Sequence, residues 1–240
     1  MLTTTKGIVF HQIKYSETSI IAKIYTEAFG LQSYLIKGAR SRKTKINALL
    51  QHLSLVEIVS NHKAKSDLQH LKEIRSACQY SSIPFDIIKS SITVFINELN
   101  YKSIQEEEPN KALFDFIYGA MQWLDLSTDA FVNFHLIYAL KLSSFLGFYP
   151  RGIYSPYSSF FDLEEGCFTN QQPFHSNYIT DKEAELFSDL TEYSLENINE
   201  LKLTNPQRNR LLDHLIWYYQ LHLPNIGNMK SPEVLRAVLS

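Results

Sequence analysis

Residues 7–40 read GIVFHQIKYSETSIIAKIYTEAFGLQSYLIKGAR, and this stretch decides the fold of the N-terminal part of the chain. It holds three short runs rich in Ile, Val, Tyr and Thr, separated by polar connections and by Gly30 and Gly38, which is typical of β-strands joined by turns. Two similar runs follow, LSLVEIVSN at 53–61 and DLQHLKEIRSA at 67–77. Five short strands in close succession predict a small closed barrel of the OB type, a fold whose strands and loops commonly carry single-stranded nucleic acid.

The spacing of apolar residues changes from strand-like to helical near residue 80. From Ile83 onward the apolar side chains recur every three or four residues, as on one face of a helix. One such face carries Ile88, Ile92, Phe95, Ile96 and Leu99. We therefore predict an α+β fold, with a five-stranded OB-fold β-barrel domain over residues 1–80 and an α-helical bundle over residues 81–240. Residues 149–179, rich in Pro, Gly and aromatic residues, are expected to form an irregular insertion in the bundle.

Charge is divided unevenly between the two predicted domains. The 240 residues carry a net charge of -2, from 23 basic and 25 acidic side chains. Residues 1–80 hold 12 of the basic and 5 of the acidic side chains, a net charge of +7, which leaves 11 basic and 20 acidic side chains, or -9, for residues 81–240. Basic surfaces attract polyanions because neutralising phosphates releases condensed counterions. The barrel domain is therefore expected to bind nucleic acid, and the acidic domain to face protein or solvent.

The densest basic cluster is KGARSRKTK at 37–45, directly after the third predicted strand. Its charged residues are Lys37, Arg40, Arg42, Lys43 and Lys45. A loop of this composition can follow a phosphate backbone, and its small residues leave main-chain N–H groups accessible to phosphates. No base-reading pattern accompanies the cluster, so we predict binding that is independent of sequence. The simpler alternative is a solvated loop without a ligand.

Aromatic residues of the barrel domain offer stacking surfaces for unpaired bases, worth about 1–3 kcal/mol per base. Tyr15, beside a predicted turn, and Tyr34, within a strand, are the two candidates for this role. For any single aromatic residue, packing in the core is the alternative.

Signatures of common catalytic and metal sites are missing from the sequence. It contains no GxxxxGK[ST], GxGxxG, GxSxG or HExxH motif. Cys78 and Cys167 form no CxxC pair, and Cys167 has only His175 as a nearby potential ligand, so neither a metal site nor a cofactor is expected. A metal-dependent nuclease would need several acids in a basic cleft, whereas most acidic residues lie outside the basic domain. We predict a protein that binds but does not catalyse.

The sequence also gives no sign of a membrane or secreted location. No run of about 18 apolar residues and no signal-peptide pattern occurs, and two cysteines are too few for a disulfide framework. The expected location is the cytoplasm.

The helical domain has a possible binding role of its own. Apolar grooves between helices accept short acidic-hydrophobic tails of partner proteins, whose terminal carboxylate pairs with a nearby cation. Candidate cations are Lys141, Arg151, Arg208 and Arg210, whose ordinary role would be surface solvation.

The order and spacing of several motifs resemble the RecO family of bacterial recombination mediators. The N-terminal motifs are Tyr15-Ser-Glu-Thr-Ser19, Tyr25-Thr-Glu27, Gly30-Leu31 leading to Lys37-Gly38-Ala39-Arg40, and Leu50-Gln51 before LSLVEI. Looser similarity extends to the Gly147-Phe148-Tyr149-Pro150 turn and to Lys230-Ser231 before the final EVLRAVL segment. The resemblance thus spans most of the chain, and its N-terminal motifs are the more specific part.

This resemblance implies an OB-fold domain, a helical domain and a role in DNA repair through the RecF pathway. Similar proteins bind single- and double-stranded DNA, anneal complementary strands, associate with RecR and contact the C-terminal tail of single-stranded DNA-binding protein, which they help to replace by RecA. Lys37 and Arg40 would then be DNA-binding positions, in a cytoplasmic protein associated with the nucleoid. Some relatives carry a four-cysteine zinc module after the Gly-Phe-Tyr-Pro turn, where this chain has only Cys167, so no zinc is expected here.

Three alternatives remain open at this point. The same charge and aromatic residues suit an OB-fold RNA-binding or ribosome-associated protein. A metal-dependent nuclease and a protein-only scaffold with an incidental basic loop are the other two.

Overall fold

A computed structural model describes residues 2–39, 46–63 and 65–240 of the chain. The contacts within it divide the chain into two compact units. The first unit joins Met1–Phe85 to Asn100–Leu126, and the second joins Asp86–Leu99 to Ser127–Ser240. The domain boundary expected near residue 80 stays a prediction.

Five strands of the first unit close into a barrel, in the order β1-β2-β3-β5-β4. They are β1 (Leu2–Lys14), β2 (Ile20–Thr26), β3 (Gly30–Ile36), β4 (Leu55–Asn61) and β5 (Leu68–Cys78), with a short helix α1 (Ile46–Leu49) between β3 and β4. Neighbouring strands are antiparallel except for β3 and β5, which are parallel. The predicted five-stranded OB-type barrel is confirmed.

Alternation along the strands separates the barrel interior from its outer face. In β2, Ile20, Ala22 and Ile24 point inward, so Lys23 between them points outward. The interior cluster also contains Val9, Tyr34, Ile36, Ala39, Leu50, Val56 and Ile58. Burial of these apolar side chains is the main driving force for closing the barrel.

Two helices follow the barrel in the chain, α2 (Ile87–Ser103) and α3 (Lys111–Leu126). Within the first unit, α3 contributes Phe114, whose ring centroid lies 6.1 Å from that of Tyr25. Tyr25 stacks in turn on Phe10 at 5.7 Å. The ring of Tyr25, which faces outward from β2, is therefore covered by the helix rather than exposed on the barrel.

The second unit is mainly helical and contains the first part of α2 and four further α-helices. These are α4 (Phe134–Phe145), α5 (Asp181–Thr191), α6 (Asn205–His222) and α7 (Ser231–Leu239). α4 is buried on nearly all sides, as its continuous apolar sequence predicts for a central helix. Its His135 is completely buried, and burial lowers the pKa of this imidazole to about 3, so the ring is neutral at physiological pH.

Residues 149–179 contain more regular structure than the sequence predicts. Three short strands, β6 (Phe160–Asp162), β7 (Cys167–Thr169) and β8 (Tyr178–Thr180), form an antiparallel sheet in the order β7-β6-β8. The sequence, which predicts a loop or irregular hairpin here, does not reveal this sheet because three-residue strands are too short to show alternation. Phe161 of β6 anchors this sheet, with its ring centroid 4.7 Å from that of Phe187 on α5.

Helix capping shows a further difference between sequence and structure. Thr180 precedes α5 without a side-chain capping hydrogen bond, although Thr180 and Glu183 have the spacing of a capping box. The capping box occurs instead at α6, where the Thr204 hydroxyl accepts from the backbone N–H of Gln207 and the Gln207 side chain accepts from the backbone N–H of Thr204. Asn205, which precedes Pro206 and whose side chain also suits a cap, is instead the first residue of α6.

Asp125, at the end of α3, fixes the segment that leaves the barrel. Its carboxylate accepts backbone N–H bonds from Ser81 at 2.8 Å, Ser82 at 2.8 Å and Ile83 at 3.0 Å. Burial by itself raises the pKa of Asp125. The hydrogen bonds to its carboxylate lower the pKa by more than burial raises it, so the pKa lies below its ordinary value. A carboxyl group with a lower pKa in the folded state stabilises the fold above its unfolded pKa and loses that effect as the pH falls.

Asp125→Asn is expected to lower the free energy of unfolding by about 2 kcal/mol at pH 7, because the amide turns a donor toward buried N–H groups. The deficit should shrink below about pH 4, where the wild-type carboxyl also becomes protonated. Urea denaturation across pH measures both effects. Asp115→Asn, at an exposed partner of Lys111, is the matched control and should cost under about 1 kcal/mol. Equal losses in the two variants would contradict this assignment.

Gly166 permits a tight turn against α6 in the second unit. Its φ is +64°, and a Cβ atom there would overlap the hydroxyl of Tyr218, which donates a 2.6 Å hydrogen bond to the carbonyl oxygen of Phe148. Gly147 also has a positive φ, of +88°, but a Cβ at that position meets open space.

Gly166→Ala should therefore destabilise the protein more than Gly147→Ala. For Gly147→Ala the only cost is the strain of an alanine in the left-handed backbone conformation, about 1–2 kcal/mol. In a Tyr218→Phe background the overlapping oxygen is gone, so the cost of Gly166→Ala should fall to that same level. Thermal and urea unfolding of the four variants give the comparison. An undiminished cost in the Tyr218→Phe background would show that the hydroxyl overlap is not the cause.

Candidate nucleic-acid interface

Strand pairing aligns two rows of side chains on the outer face of the barrel. The rows contain His11, Lys23 and Ser33, and then Ile13, Ile21, Leu35 and His70. Each row crosses neighbouring strands at the register that the backbone hydrogen bonds impose. The outer face therefore presents basic, aromatic and apolar groups side by side, the combination that single-stranded nucleic acid requires.

Tyr101, from the last turn of α2, lies over the first row. Its ring centroid is 4.8 Å from that of His11, and the ammonium group of Lys23 is 5.9 Å from the Tyr101 ring centroid. Burial, and then the nearby His52 and Lys23, lower the pKa of His11. The neutral imidazole of His11 thus forms an aromatic pair with Tyr101 beside the positive charge of Lys23.

A cleft of about 500 Å³ lies beside the second row, between β3 and β5. It is lined by Leu35, Ile36, Lys37, Ile46, His70, Leu71, Lys72, Glu73 and Ile74. Lys37 is exposed in the turn after β3. Lys72 is the extra residue of a β-bulge, because Leu71 pairs with Ser60 and Glu73 with Val59. The bulge leaves Lys72 exposed at the cleft while Leu71 and Ile74 both pack against the barrel interior.

The lysines of this region are not neutralised by nearby acids. Within the described part of the chain, no carboxylate forms an ion pair with Lys14, Lys23, Lys37, Lys63, Lys65 or Lys72. By contrast, Arg75 pairs with Glu57, and Lys111 pairs with Glu27 at 3.2 Å and Asp115 at 2.9 Å. We call Lys23, Lys37 and Lys72, with the rings of His11, His70 and Tyr101, the basic barrel face.

The residues predicted to bind DNA lie in different environments in the structure. Lys37 is exposed at the cleft, and Tyr15 is 61% exposed in the turn between β1 and β2. Tyr34 is completely buried in the barrel interior, where burial raises its hydroxyl pKa to about 12, so its proposed base-stacking role was wrong. The remaining positions, Arg40, Arg42, Lys43 and Lys45, lie outside the described residues.

Sequence reasoning missed Lys23, Lys72 and Tyr101. The alternation of β2 contains a usable signal for Lys23, since a lysine between inward-facing Ala22 and Ile24 points to the outer face. No local pattern marks Lys72, because its exposure depends on a bulge. Tyr101 comes from a helix that follows the barrel in sequence, so only the three-dimensional contact with His11 reveals it.

In the second unit the four candidate cations differ sharply. Lys141 and Arg151 are exposed, and Arg210 forms an ion pair with Glu183 at 2.9 Å. Arg208 is only 7% exposed and donates to Asn133 at 2.9 Å, to Asn205, and to the carbonyl oxygen of Leu203 at 3.3 Å. These acceptors are all neutral. Burial accordingly lowers the pKa of Arg208, because nothing in these contacts balances its charge.

A cleft of about 360 Å³ opens at Arg208. Its lining consists of Ala130, Val132, Asn133, Asn199, Leu201, Lys202, Leu203, Thr204 and Arg208. Lys202 is exposed at this cleft, so two cations border a mainly apolar depression.

Metal-ligating residues do not converge in the residues that the structure describes, which contain no group of three or more His, Cys, Asp or Glu side chains suited to an ion. His175 lies 3.3 Å from the carboxylate of Asp162 and 3.7 Å from that of Glu164, and Cys167 is a free thiol. In the same described ranges, no helix is long and apolar enough to span a bilayer.

Comparison with known proteins gives matches along the whole chain. The family described as Recombination protein O N terminal matches residues 1–80, and Recombination protein O C terminal matches residues 84–232. A solved structure of asparaginyl-tRNA synthetase from Entamoeba histolytica aligns with a TM-score of only 0.28 at 14% identity, over 78% of this chain and 41% of that one. This last similarity is too low to support a conclusion about fold or function.

Several full-length relatives carry the same name. The chain is 41% identical to DNA repair protein RecO of Flavobacterium psychrophilum, over 100% of both chains. It is 35% identical to the protein of that name in Phocaeicola vulgatus, over 100% of both chains, and 37% identical to that of Bacteroides fragilis, over 98% of each. On these matches, the chain belongs to the RecO family of DNA repair proteins.

Proposed function

We propose that the protein is a recombination mediator that binds DNA through the basic barrel face without reading its sequence. The observation that carries this proposal is the set of outer-face lysines, above all Lys23, Lys37 and Lys72, that have no carboxylate partner among the described residues. A lysine already paired with an acid gains little from a phosphate, whereas an unpaired one gains the full attraction and releases a counterion. The rings of His11 and Tyr101 supply stacking for unpaired bases.

Annealing of complementary strands follows from the same electrostatics. Two DNA strands repel each other through their phosphates, and a basic surface that neutralises both lowers this repulsion. Contacts to the backbone leave the base edges free to pair. In this mechanism both single- and double-stranded DNA bind, and no covalent bond is made or broken.

Arg40, Arg42, Lys43 and Lys45 remain part of the proposed DNA site on the basis of their charge and their position after Lys37. Tyr15 is retained as a stacking residue because its ring is exposed in the β1–β2 turn. OB folds bind oligonucleotides on the face of β2 and β3 and through the β1–β2 and β4–β5 loops, which supports the inclusion of Tyr15. Such a protein would act in the cytoplasm, on the nucleoid.

The cleft at Arg208 is our proposed binding site for the C-terminal tail of single-stranded DNA-binding protein. An acidic-hydrophobic tail suits an apolar cleft bordered by the cations Arg208 and Lys202. Holding this protein while DNA occupies the barrel would bring both to one mediator, which would help RecA to replace the single-stranded DNA-binding protein. RecR is a further proposed partner, on the basis of the family alone.

Replacing Lys23, Lys37 and Lys72 by Gln should weaken the binding of a fluorescent oligo-dT. The slope of log affinity against log salt concentration should become shallower by about 2, because each lost phosphate contact accounts for about 0.7. Fluorescence anisotropy across a salt series measures the slope. The double variant Arg75→Gln, Lys111→Gln removes cations that already have acidic partners and should leave the slope nearly unchanged. A second variant, with Gln at Lys37, Arg40, Arg42, Lys43 and Lys45, tests the loop separately.

Three results would count against this function. Absence of oligo-dT binding by the wild type would favour a protein-only scaffold. The RNA-binding alternative would be favoured if structured RNA displaced the bound DNA at a much lower concentration than a DNA competitor does. Cleavage of labelled DNA with Mg²⁺ or Mn²⁺, in proportion to the amount of protein, would favour a nuclease.

Lys202→Gln should weaken binding of a tail peptide from the single-stranded DNA-binding protein by about three- to tenfold. Lys141→Gln is the control and should have little effect, because of these two lysines only Lys202 borders the cleft. Amidation of the peptide's C-terminus should weaken binding to the wild type, since it removes the charge that Arg208 and Lys202 attract. Isothermal titration calorimetry measures both effects. Equal affinity for the acid and amide forms would exclude carboxylate recognition in this cleft.

A further inference from the structure

A β-bulge in β1 turns His11 onto the outer face of the barrel. Val9 pairs with Ile24 and His11 pairs with Lys23, so Phe10 is the extra residue of β1 at this point. Val9 belongs to the interior cluster, and residues two positions apart in a regular strand share a face. Without the bulge, His11 would therefore point into the interior. With the bulge, His11 lies directly opposite Lys23 on the basic barrel face.

The groups that face His11 are basic or aromatic. Lys23 faces it from β2, and His52 lies in the turn before β4, where its Nδ1 atom is 3.4 Å from the carbonyl oxygen of Phe10. Tyr101 of α2 covers the imidazole, with the two ring centroids 4.8 Å apart. Among the residues that the structure describes, no carboxylate forms an ion pair with His11 or Lys23. A positive charge on His11 would therefore add to positive charges already beside it.

This environment keeps His11 neutral in the free protein. Burial lowers the pKa of its imidazole, and the charges of His52 and Lys23 lower it further. Like charges directly opposite each other on neighbouring strands destabilise a sheet, so protonation of His11 beside Lys23 would also oppose folding. The free protein thus carries on this face a basic side chain that has no charge at physiological pH.

A phosphate group bound at Lys23 would reverse this balance. The Cβ atoms of directly opposed residues on antiparallel strands lie about 4.5–5.5 Å apart, close enough for one phosphate to contact the side chains of both Lys23 and His11. A negative charge at that distance favours the protonated imidazole and raises its pKa. The phosphate also offsets the charge of Lys23, one of the groups that lower the pKa of His11 in the free protein. His11 therefore gains its charge where the phosphate binds.

We propose that DNA binding on the basic barrel face is coupled to uptake of a proton by His11, which is a neutral ring partner of Tyr101 in the free protein and a positively charged phosphate contact in the complex. The proton comes from the solvent. This inference rests on the proposed DNA-binding function and adds a regulation to it, because the affinity for DNA rises as the pH falls. Binding raises the pKa of His11 from a value below 6.5, so the rise in affinity should occur between about pH 5 and about pH 7.

The first test measures proton uptake by isothermal titration calorimetry of oligo-dT binding at about pH 6, in buffers that differ in ionisation enthalpy. The dependence of the observed enthalpy on the buffer gives the number of protons taken up. The wild type should take up a fraction of a proton, and His11→Gln and His11→Phe should take up markedly less. His11→Phe keeps an aromatic ring beside Tyr101, so it separates the charge of His11 from its ring contact. His175→Gln is the matched control, because it removes a half-buried histidine of the second unit, outside the basic barrel face.

The second test measures affinity by anisotropy at about pH 7.5 and about pH 5.5. On lowering the pH, the affinity of the wild type for oligo-dT should rise by up to about tenfold more than that of His11→Gln, because one unit of pKa increase on binding corresponds to a factor of ten. The slope of log affinity against log salt concentration should become steeper by up to about 0.7 in the wild type at the lower pH, as for one added phosphate contact. His175→Gln should follow the wild type.

Two results would overturn the coupling. Equal proton uptake in the wild type and both His11 variants would place the proton on another group. DNA binding by the wild type without proton uptake would exclude the coupling and leave the proposed function intact. Absence of oligo-dT binding at either pH would instead reject the proposed function itself. Circular dichroism at both pH values identifies a misfolded His11→Gln protein, in which case His11→Phe alone decides.

Discussion

The parallel pairing of β3 with β5 is the constraint on which the rest of the barrel depends. β1, β2 and β3 form an antiparallel meander, and β4 returns beside β1, so the cylinder closes only where Ser33–Leu35 meets Leu68–His70. This pairing satisfies backbone groups that an open edge would leave exposed to other chains. It also brings His70 and Lys72 beside Lys37, residues that are more than thirty positions apart in the sequence.

Charge distribution within the first unit follows a simple division. Lys111 of α3 pairs with Glu27 and Asp115, and Arg75 of β5 pairs with Glu57, whereas Lys23, Lys37 and Lys72 form no ion pair among the described residues. Unpaired surface cations cost little in water but contribute nothing to the fold. Their accumulation on one face is therefore better explained by a ligand of opposite charge than by stability.

Buried polar groups in the two units serve two different purposes. Asp125 and Gln69 each use nearly all of their hydrogen-bonding capacity on backbone groups, and each fixes a connection that the barrel strands do not hold. Arg208 bonds only to neutral acceptors and keeps an uncompensated charge beside an open cleft. The hydrogen bonds of Asp125 and Gln69 therefore stabilise the fold, whereas the charge of Arg208 remains able to attract an anion.

The sequence alone determined the barrel strands, the helical domain and the concentration of positive charge in residues 1–80, because composition and residue spacing are local properties. It did not determine which side of a strand is buried when both sides carry apolar residues. Tyr34, with Leu31, Leu35 and Ile36 in the same strand, was for this reason placed on the wrong face. Strand register, the bulge at Lys72 and the approach of Tyr101 to His11 were decided only by the tertiary structure, because each depends on pairing between segments distant in the chain.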